Sequence, residues 1–191
     1  MIVEGVATTW DSSGRVNVAP LGPIVPHDRP PSEWNELLLR PFPGSKTYAN
    51  LKATREGVFH LTDDVLLIAR SAVGEVEPPL EPCHDLTGYR LVDCCHLLEF
   101  RVADWDESGD RPRLRAAVLS DWPRRPWAGF NRAKHAVIEA AVLATRLHLL
   151  GKSTVELELD RLRSPVEKTA GPAEREAFAF LVDYVARWKG A

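Results

Sequence analysis

The first stretch of the chain has strand character, rich in Ile, Val, Thr and Trp from Met1 to Trp10. Asp11-Ser12-Ser13-Gly14 reads as a turn, with Gly14 free to take a positive φ. Arg15 to Val25 returns as a second strand, so the chain is expected to open with a hairpin. On the returning strand Val16 and Val18 point one way and Asn17, Ala19 and Leu21 the other. Pro20 and Pro23 cannot donate to a ladder, which marks this strand end as an edge or a split.

Further along, Glu36 to Arg40 is a short strand, apolar in its middle. Ser45 is a good N-cap for a helix over Lys46 to Arg55, and a strand follows from Gly57 to Thr62. Asp63 could cap a helix over Val65 to Ala72. The proline-rich Glu75 to Pro82 is expected to be irregular. Tyr89 to Asp106 reads as one long strand, turning at Ser108-Gly109-Asp110 so that Arg113 to Ser120 pairs back on it. About six strands with short helices between them fit a small closed or partly closed barrel. The pattern then changes. Phe130 to Leu150 is apolar over more than half its circumference and predicts one buried helix of about five turns, ended by Gly151. Thr154 to Lys168 is weaker and interrupted by Pro165, and Pro172 to Trp188 reads as a last helix. The expected plan is mainly β with α: a barrel over residues 1–122, then a helical region over residues 123–191 packed on the barrel or on a partner.

Composition narrows the function classes. The chain has 191 residues, 45% of them hydrophobic, which suits one domain or a domain with a small appendage. A net charge of −3 gives no electrostatic reason to expect nucleic acid or an anionic membrane as partner. The opening residues, with no basic segment before an apolar one, do not read as a signal peptide. The longest apolar stretch, Ala136 to Ala144, is broken by Glu139 and is too short to span a bilayer. Three cysteines, Cys83, Cys94 and Cys95, are a poor disulfide framework and fit a reducing cytoplasm. Cys83-His84 and Cys94-Cys95-His96 follow no zinc-finger spacing, and adjacent residues on a strand face opposite ways, so no metal is expected.

Candidate chemistry concentrates between Gly14 and Leu51. A helix start offers unpaired N–H groups and the positive end of the dipole, so Ser45, Lys46 and Thr47, with Arg40 upstream, are candidates to bind a phosphate. The bland alternative is an ordinary capped surface helix. Asn50 lies one turn later and could touch the same ligand or be a surface amide. Asn17 is polar in an apolar strand and needs partners, which the polar edge of a flat ligand or a neighbouring backbone could supply. The strand end Val18, Ala19, Pro20 and Leu21 could present backbone groups to a flat heterocycle. Glu139 and Arg146, two turns apart on one helix, read as members of buried ion pairs with other partners. No nucleophile–base pair, carboxylate dyad or Walker loop stands out, so any chemistry is expected from a bound cofactor.

Asn17-Val18-Ala19-Pro20, followed by Ser45-Lys46-Thr47 and Asn50-Leu51, resembles the flavin-binding stretch of FMN-binding split β-barrel proteins of the flavin-reductase-like and PNP-oxidase-like superfamily. The fuller resemblance is to the DUF447 branch, and it extends to Gly129-Phe130-Asn131-Arg132-Ala133, Ile138-Glu139-Ala140 and Val166-Glu167-Lys168-Thr169. It implies a split β-barrel followed by helices, FMN as cofactor, a homodimer with flavin near the interface, and an oxidoreductase of unknown substrate. It also implies a place at the ligand for Asn131 and Arg132, whose plain reading is the start of a helix. The alternatives are a non-catalytic flavin carrier and an interaction module of the same fold.

Overall fold

The computed structural model describes residues 1–190, which form two compact units. The first holds Met1–Thr62 and Glu77–Trp127; the second holds Asp63–Val76 and the chain from Ala128 onward.

In the first unit, strands β1 (Gly5–Trp10), β2 (Val16–Leu21), β3 (Glu36–Leu39), β4 (Glu56–Leu61), β7 (His96–Asp106) and β8 (Arg113–Pro123) form one antiparallel sheet in the order β2-β1-β4-β7-β8-β3. Past the end of β2, Ile24 and Leu38 of β3 exchange backbone hydrogen bonds of 2.9 and 3.1 Å. That bridge joins the two ends of the sheet into a barrel, while Val16–Leu21 keeps an outer edge without a strand. This is the split barrel that the prolines of this segment predict. Helix α1 (Lys46–Thr54) contributes a fully buried Leu51 to the barrel core, beside Ala7, Leu37, Phe59, Leu98, Phe100 and Leu114.

The first part of β7, Leu97 to Phe100, is buried on both faces. Leu98 and Phe100 face the barrel core, whereas Leu97 joins an outer cluster with Trp10, Val58, Leu86 and Cys94. With Leu91, Val92, Cys94 and Cys95 just ahead of it, this stretch makes Tyr89 to Asp106 read as one strand. It is not. β6 (Tyr89–Leu91) pairs with β5 (Leu80–Pro82) in a separate two-stranded sheet, and residues 92–95 turn between β6 and β7. Hence Leu80–Pro82, expected to be irregular, is a short strand whose prolines sit at or beyond its ends. β8 runs on to Pro123, past the expected end at Ser120. His60 pins the two sheets together. Its Nδ1–H donates to the Val6 carbonyl at 3.1 Å, and its Nε2 accepts the Leu91 N–H at 3.0 Å. Complete burial pushes its pKa down to about 3, so the ring is neutral.

The second unit is helical. Helix α2 (Val65–Val73), which sequence order placed with the barrel, packs here with α3 (Arg132–Thr145) and α7 (Pro172–Arg187). The α3 core face is largely alanine, at positions 133, 136, 140, 141 and 144, which lets neighbouring helices approach closely. The single helix expected from Phe130 to Leu150 is shorter and broken. Phe130 precedes it and is 91% exposed, and Arg146 separates α3 from α4 (Leu147–Leu150). The last turn tightens there, with the Arg146 N–H on the Leu143 carbonyl at 3.0 Å. Gly151 then leaves the helix with φ 78°. Glu139 and Arg146 are exposed, on the side of α3 away from the alanine face, so neither belongs to a buried ion pair. Pro165 does not interrupt a helix. It falls in the first turn of α6 (Arg163–Thr169), after α5 (Lys152–Arg161), where its missing N–H costs nothing. No helix among the described residues is long and apolar enough to cross a membrane.

Candidate functional site

The site is built where β2 meets the start of α1. Gly44, at φ 83°, turns the chain from the Pro41–Pro43 loop into the helix. Ser45 caps it, its Oγ accepting the Tyr48 N–H at 3.1 Å. The first turn carries no acidic residue, so no carboxylate of its own neutralises the positive end of the helix. Lys46 and Arg40 are exposed, on and just before that end.

Thr47 and Asn50 face inward and are buried, with 6% and 7% of their surface exposed. Asn17 Nδ2 donates to Thr47 Oγ1 at 3.2 Å, and Asn50 Nδ2 donates to Thr9 Oγ1 at 3.2 Å. Thr9 and Asn17 are direct partners across the β1–β2 hairpin, so their side chains share a face. Four polar side chains, Thr9, Asn17, Thr47 and Asn50, thus tie helix α1 to the β1–β2 hairpin. Asn50 is therefore not a surface amide, and Asn17 is bonded to a side chain rather than to neighbouring backbone. Along the same edge, Val18 and Leu21 are buried and Ala19 and Pro20 half-buried. The structure so joins Asn17 of β2 to Thr47 of α1; Val18, Ala19, Pro20 and Leu21 follow along β2, Asn50 lies one turn further along α1, Ser45 and Lys46 open the helix, and Arg40 precedes it without a shown contact to β2. Thr9 was missed, because one threonine in a Thr-rich strand carries no signal until its register is known.

A second cluster that the sequence did not reveal holds the outer side of α1. Tyr48 Oη donates to Glu107 Oε1, and Lys52 Nζ reaches the same carboxylate at 3.1 Å. The Tyr48 hydroxyl, the neighbouring Trp105 indole and Lys52 hold the Glu107 pKa down at about 2. Arg55 lies over the Trp105 ring, 4.8 Å from its centre. The tip of the β7–β8 hairpin thereby grips the helix that bears Ser45 and Thr47.

Asn131 and Arg132 lie in the helical unit. Asn131 caps α3, its Oδ1 accepting the Ala133 and Lys134 N–H groups at 2.8 and 3.1 Å, while its Nδ2 donates to the Thr169 carbonyl at 3.0 Å. Thr169 Oγ1 accepts the Ala133 N–H at 3.0 Å, so the stretches around Asn131 and Thr169 are bonded to each other at the start of α3. Arg132 is exposed. Burial pushes the Cys83 and Cys94 thiols up to about 12, so neither is a ready nucleophile. Among the described residues no group of three or more His, Cys, Asp or Glu side chains could hold a metal ion.

Comparison with known proteins agrees with this architecture. An FMN-bound DUF447 protein from Methanosarcina mazei superposes with a TM-score of 0.83 at 22% identity, over 96% of this chain and 94% of that one. An FMN-binding protein from Thermus thermophilus, with bound p-hydroxybenzaldehyde, matches at a TM-score of 0.51 and 20% identity over 67% of this chain and 75% of that one. A flavoredoxin from Methanosarcina acetivorans matches at 0.52 and 13% identity, over 64% of this chain and 69% of that one. These likenesses establish the split-barrel fold with helices after it. Two family models, described as the N-terminal domain of a protein of unknown function (DUF447) and as a protein of unknown function (DUF447), match residues 3–121 and 131–183. Since the two matches together span most of its length, the chain belongs to the DUF447 family.

Proposed function

We propose that the chain is an FMN-binding flavoprotein, and an oxidoreductase, whose flavin phosphate lies at the start of α1. The observation that carries this reading is the 3.2 Å hydrogen bond between Asn17 and Thr47, which sets an edge strand and a helix start side by side. A phosphorylated flat cofactor needs both at once. The residues present fit the group: a helix N-terminus with no acid in its first turn, a nearly buried hydroxyl at Thr47, and basic Lys46 and Arg40 close in sequence. The FMN-bound family member from Methanosarcina mazei supports the same choice.

Ser45 and Thr47 would donate to the phosphate, Lys46 and Arg40 would add charge, and the backbone of Val18, Ala19, Pro20 and Leu21 would face the ring. Asn50 would fix the helix start through Thr9. The reading does not draw on Asn131 and Arg132, since the Asn131 amide is spent on the α3 cap. When bound, FMN supplies the redox chemistry that no side chain here provides. The same reading has two copies of the chain meet near the flavin, and places the protein in the cytoplasm, where its thiols stay reduced.

Titration of the purified chain with FMN and with riboflavin tests this. A charged group bound by several donors makes FMN about ten- to a hundredfold tighter than riboflavin. Equal affinities contradict the phosphate assignment. Bleaching of the bound-flavin absorption by reduced nicotinamide then separates an oxidoreductase from a carrier.

A further inference from the structure

We infer that Asn17 is a positioning residue for the phosphate, acting through the Thr47 hydroxyl and not on the flat ring; this rests on the FMN reading above. A hydroxyl has one proton and two lone pairs. Thr47 Oγ1 accepts the Asn17 amide at 3.2 Å, so its own proton turns away from β2. Elsewhere in this chain helical hydroxyls fold back: Thr54 donates to the Asn50 carbonyl at 3.0 Å, and Ser71 to the Leu67 carbonyl at 2.7 Å. Thr47 lies in the first turn of α1 and has no helical carbonyl four residues behind it. Among the described residues no acceptor takes its proton, although the side chain is only 6% exposed. A nearly buried hydroxyl with an unspent donor calls for an acceptor from outside the chain.

The geometry around it is fixed. Asn17 is held in register opposite Thr9, and Thr9 is held in turn by Asn50 one turn along the same helix. The strand cannot slide against the helix start without breaking both bonds. Asn17 therefore sets the direction of the Thr47 proton, and the ligand it serves is the terminal phosphate monoester, a strong acceptor at a helix start.

The test is a double-mutant cycle read with two ligands. FMN and riboflavin are titrated into the full chain as wild type, Asn17→Ala, Thr47→Val and the double variant, with folding checked by circular dichroism. Asn17→Ala and Thr47→Val each weaken FMN by about tenfold or more and leave riboflavin within about twofold. On the Thr47→Val background, Asn17→Ala adds no further loss of FMN, because the two act as one unit. Asn17→Asp, an independent variant, cannot donate and takes the Thr47 proton for itself, so it weakens FMN more than Asn17→Ala does. Equal losses of FMN and riboflavin on changing Asn17 overturn the inference in favour of contact with the ring. Additive losses in the double variant overturn it in favour of a separate contact with the phosphate. If wild type itself does not distinguish FMN from riboflavin, the underlying reading fails, and that outcome is visible before any variant is made.

Discussion

At the scale of single residues, Thr47 and His60 carry the sharpest expectations. Thr47→Val keeps the shape and deletes the donor. Losing a hydrogen bond to a charged group costs about 1.5–3 kcal/mol, so FMN affinity falls about ten- to a hundredfold while riboflavin affinity holds. From the sequence, a first-turn threonine reads as surface; here it is buried and accepts from Asn17. The fold still tolerates the change, since Asn17 is half-exposed and water replaces the lost acceptor, at a stability cost of about 1 kcal/mol or less. His60 makes a different prediction. Burial lowers its pKa to about 3, against an ordinary 6.5. Between those values the unfolded chain binds one proton more than the folded one, so stability is unaffected above pH 6.5 and is lost as pH falls towards 3. The slope is about 1.4 kcal/mol per pH unit from this residue alone. His60→Asn is less stable than wild type at pH 7.5, and the gap between their melting temperatures narrows at pH 5.5 and again at 4.5. A gap that stays constant over this range removes His60 as the cause.

At the scale of elements, close approach decides what can change. A Cβ on Gly88 would meet the Trp10 ring at 2.2 Å, and Trp10 is 3% exposed, so it has nowhere to go. Gly88→Ala should cost about 1–3 kcal/mol by overpacking. Gly14→Ala meets nothing within 4 Å and bears only its φ of 84°, for about 1 kcal/mol. Denaturant midpoints of the two variants compare them directly, and a Gly88→Ala no worse than Gly14→Ala contradicts the packing of the β5–β6 sheet on Trp10. The same elements show what the sequence could and could not disclose. The opening hairpin, the capped helix α1 and the edge marked by Pro20 follow from alternation, an N-cap serine and the missing proline N–H. β5 and β6 are three residues each, too short for any periodicity, and the run from Tyr89 hid the turn at residues 92–95. The break at Arg146 has no proline or glycine before it to announce it. The Thr9–Asn17–Thr47–Asn50 ring was half legible: Asn17, Thr47 and Asn50 stood out by type, but which atoms they share depends on a register that only the folded hairpin fixes.

At the scale of the whole molecule, the chain is a barrel unit and a helical unit interleaved in sequence. α2 leaves the barrel between β4 and β5 to join helices that follow residue 127. No local pattern tells a short apolar helix which core it will enter. Trp122, near the end of β8, and Trp127 beyond it are exposed apolar side chains of the barrel unit, in keeping with the proposed homodimer. Light scattering at micromolar concentration should give twice the chain mass, 42.6 kDa from the 21.3 kDa protomer; a monomer that still holds FMN contradicts it.

The central claim is that FMN binds with its phosphate at the start of α1, and a crystal structure of the chain saturated with FMN tests it most directly. The account predicts a phosphate oxygen within about 2.6–3.2 Å of both Thr47 Oγ1 and the Thr47 backbone nitrogen, with Asn17 Nδ2 still on Thr47 Oγ1. A flavin phosphate bound elsewhere, with Thr47 Oγ1 touching only Asn17, would contradict it.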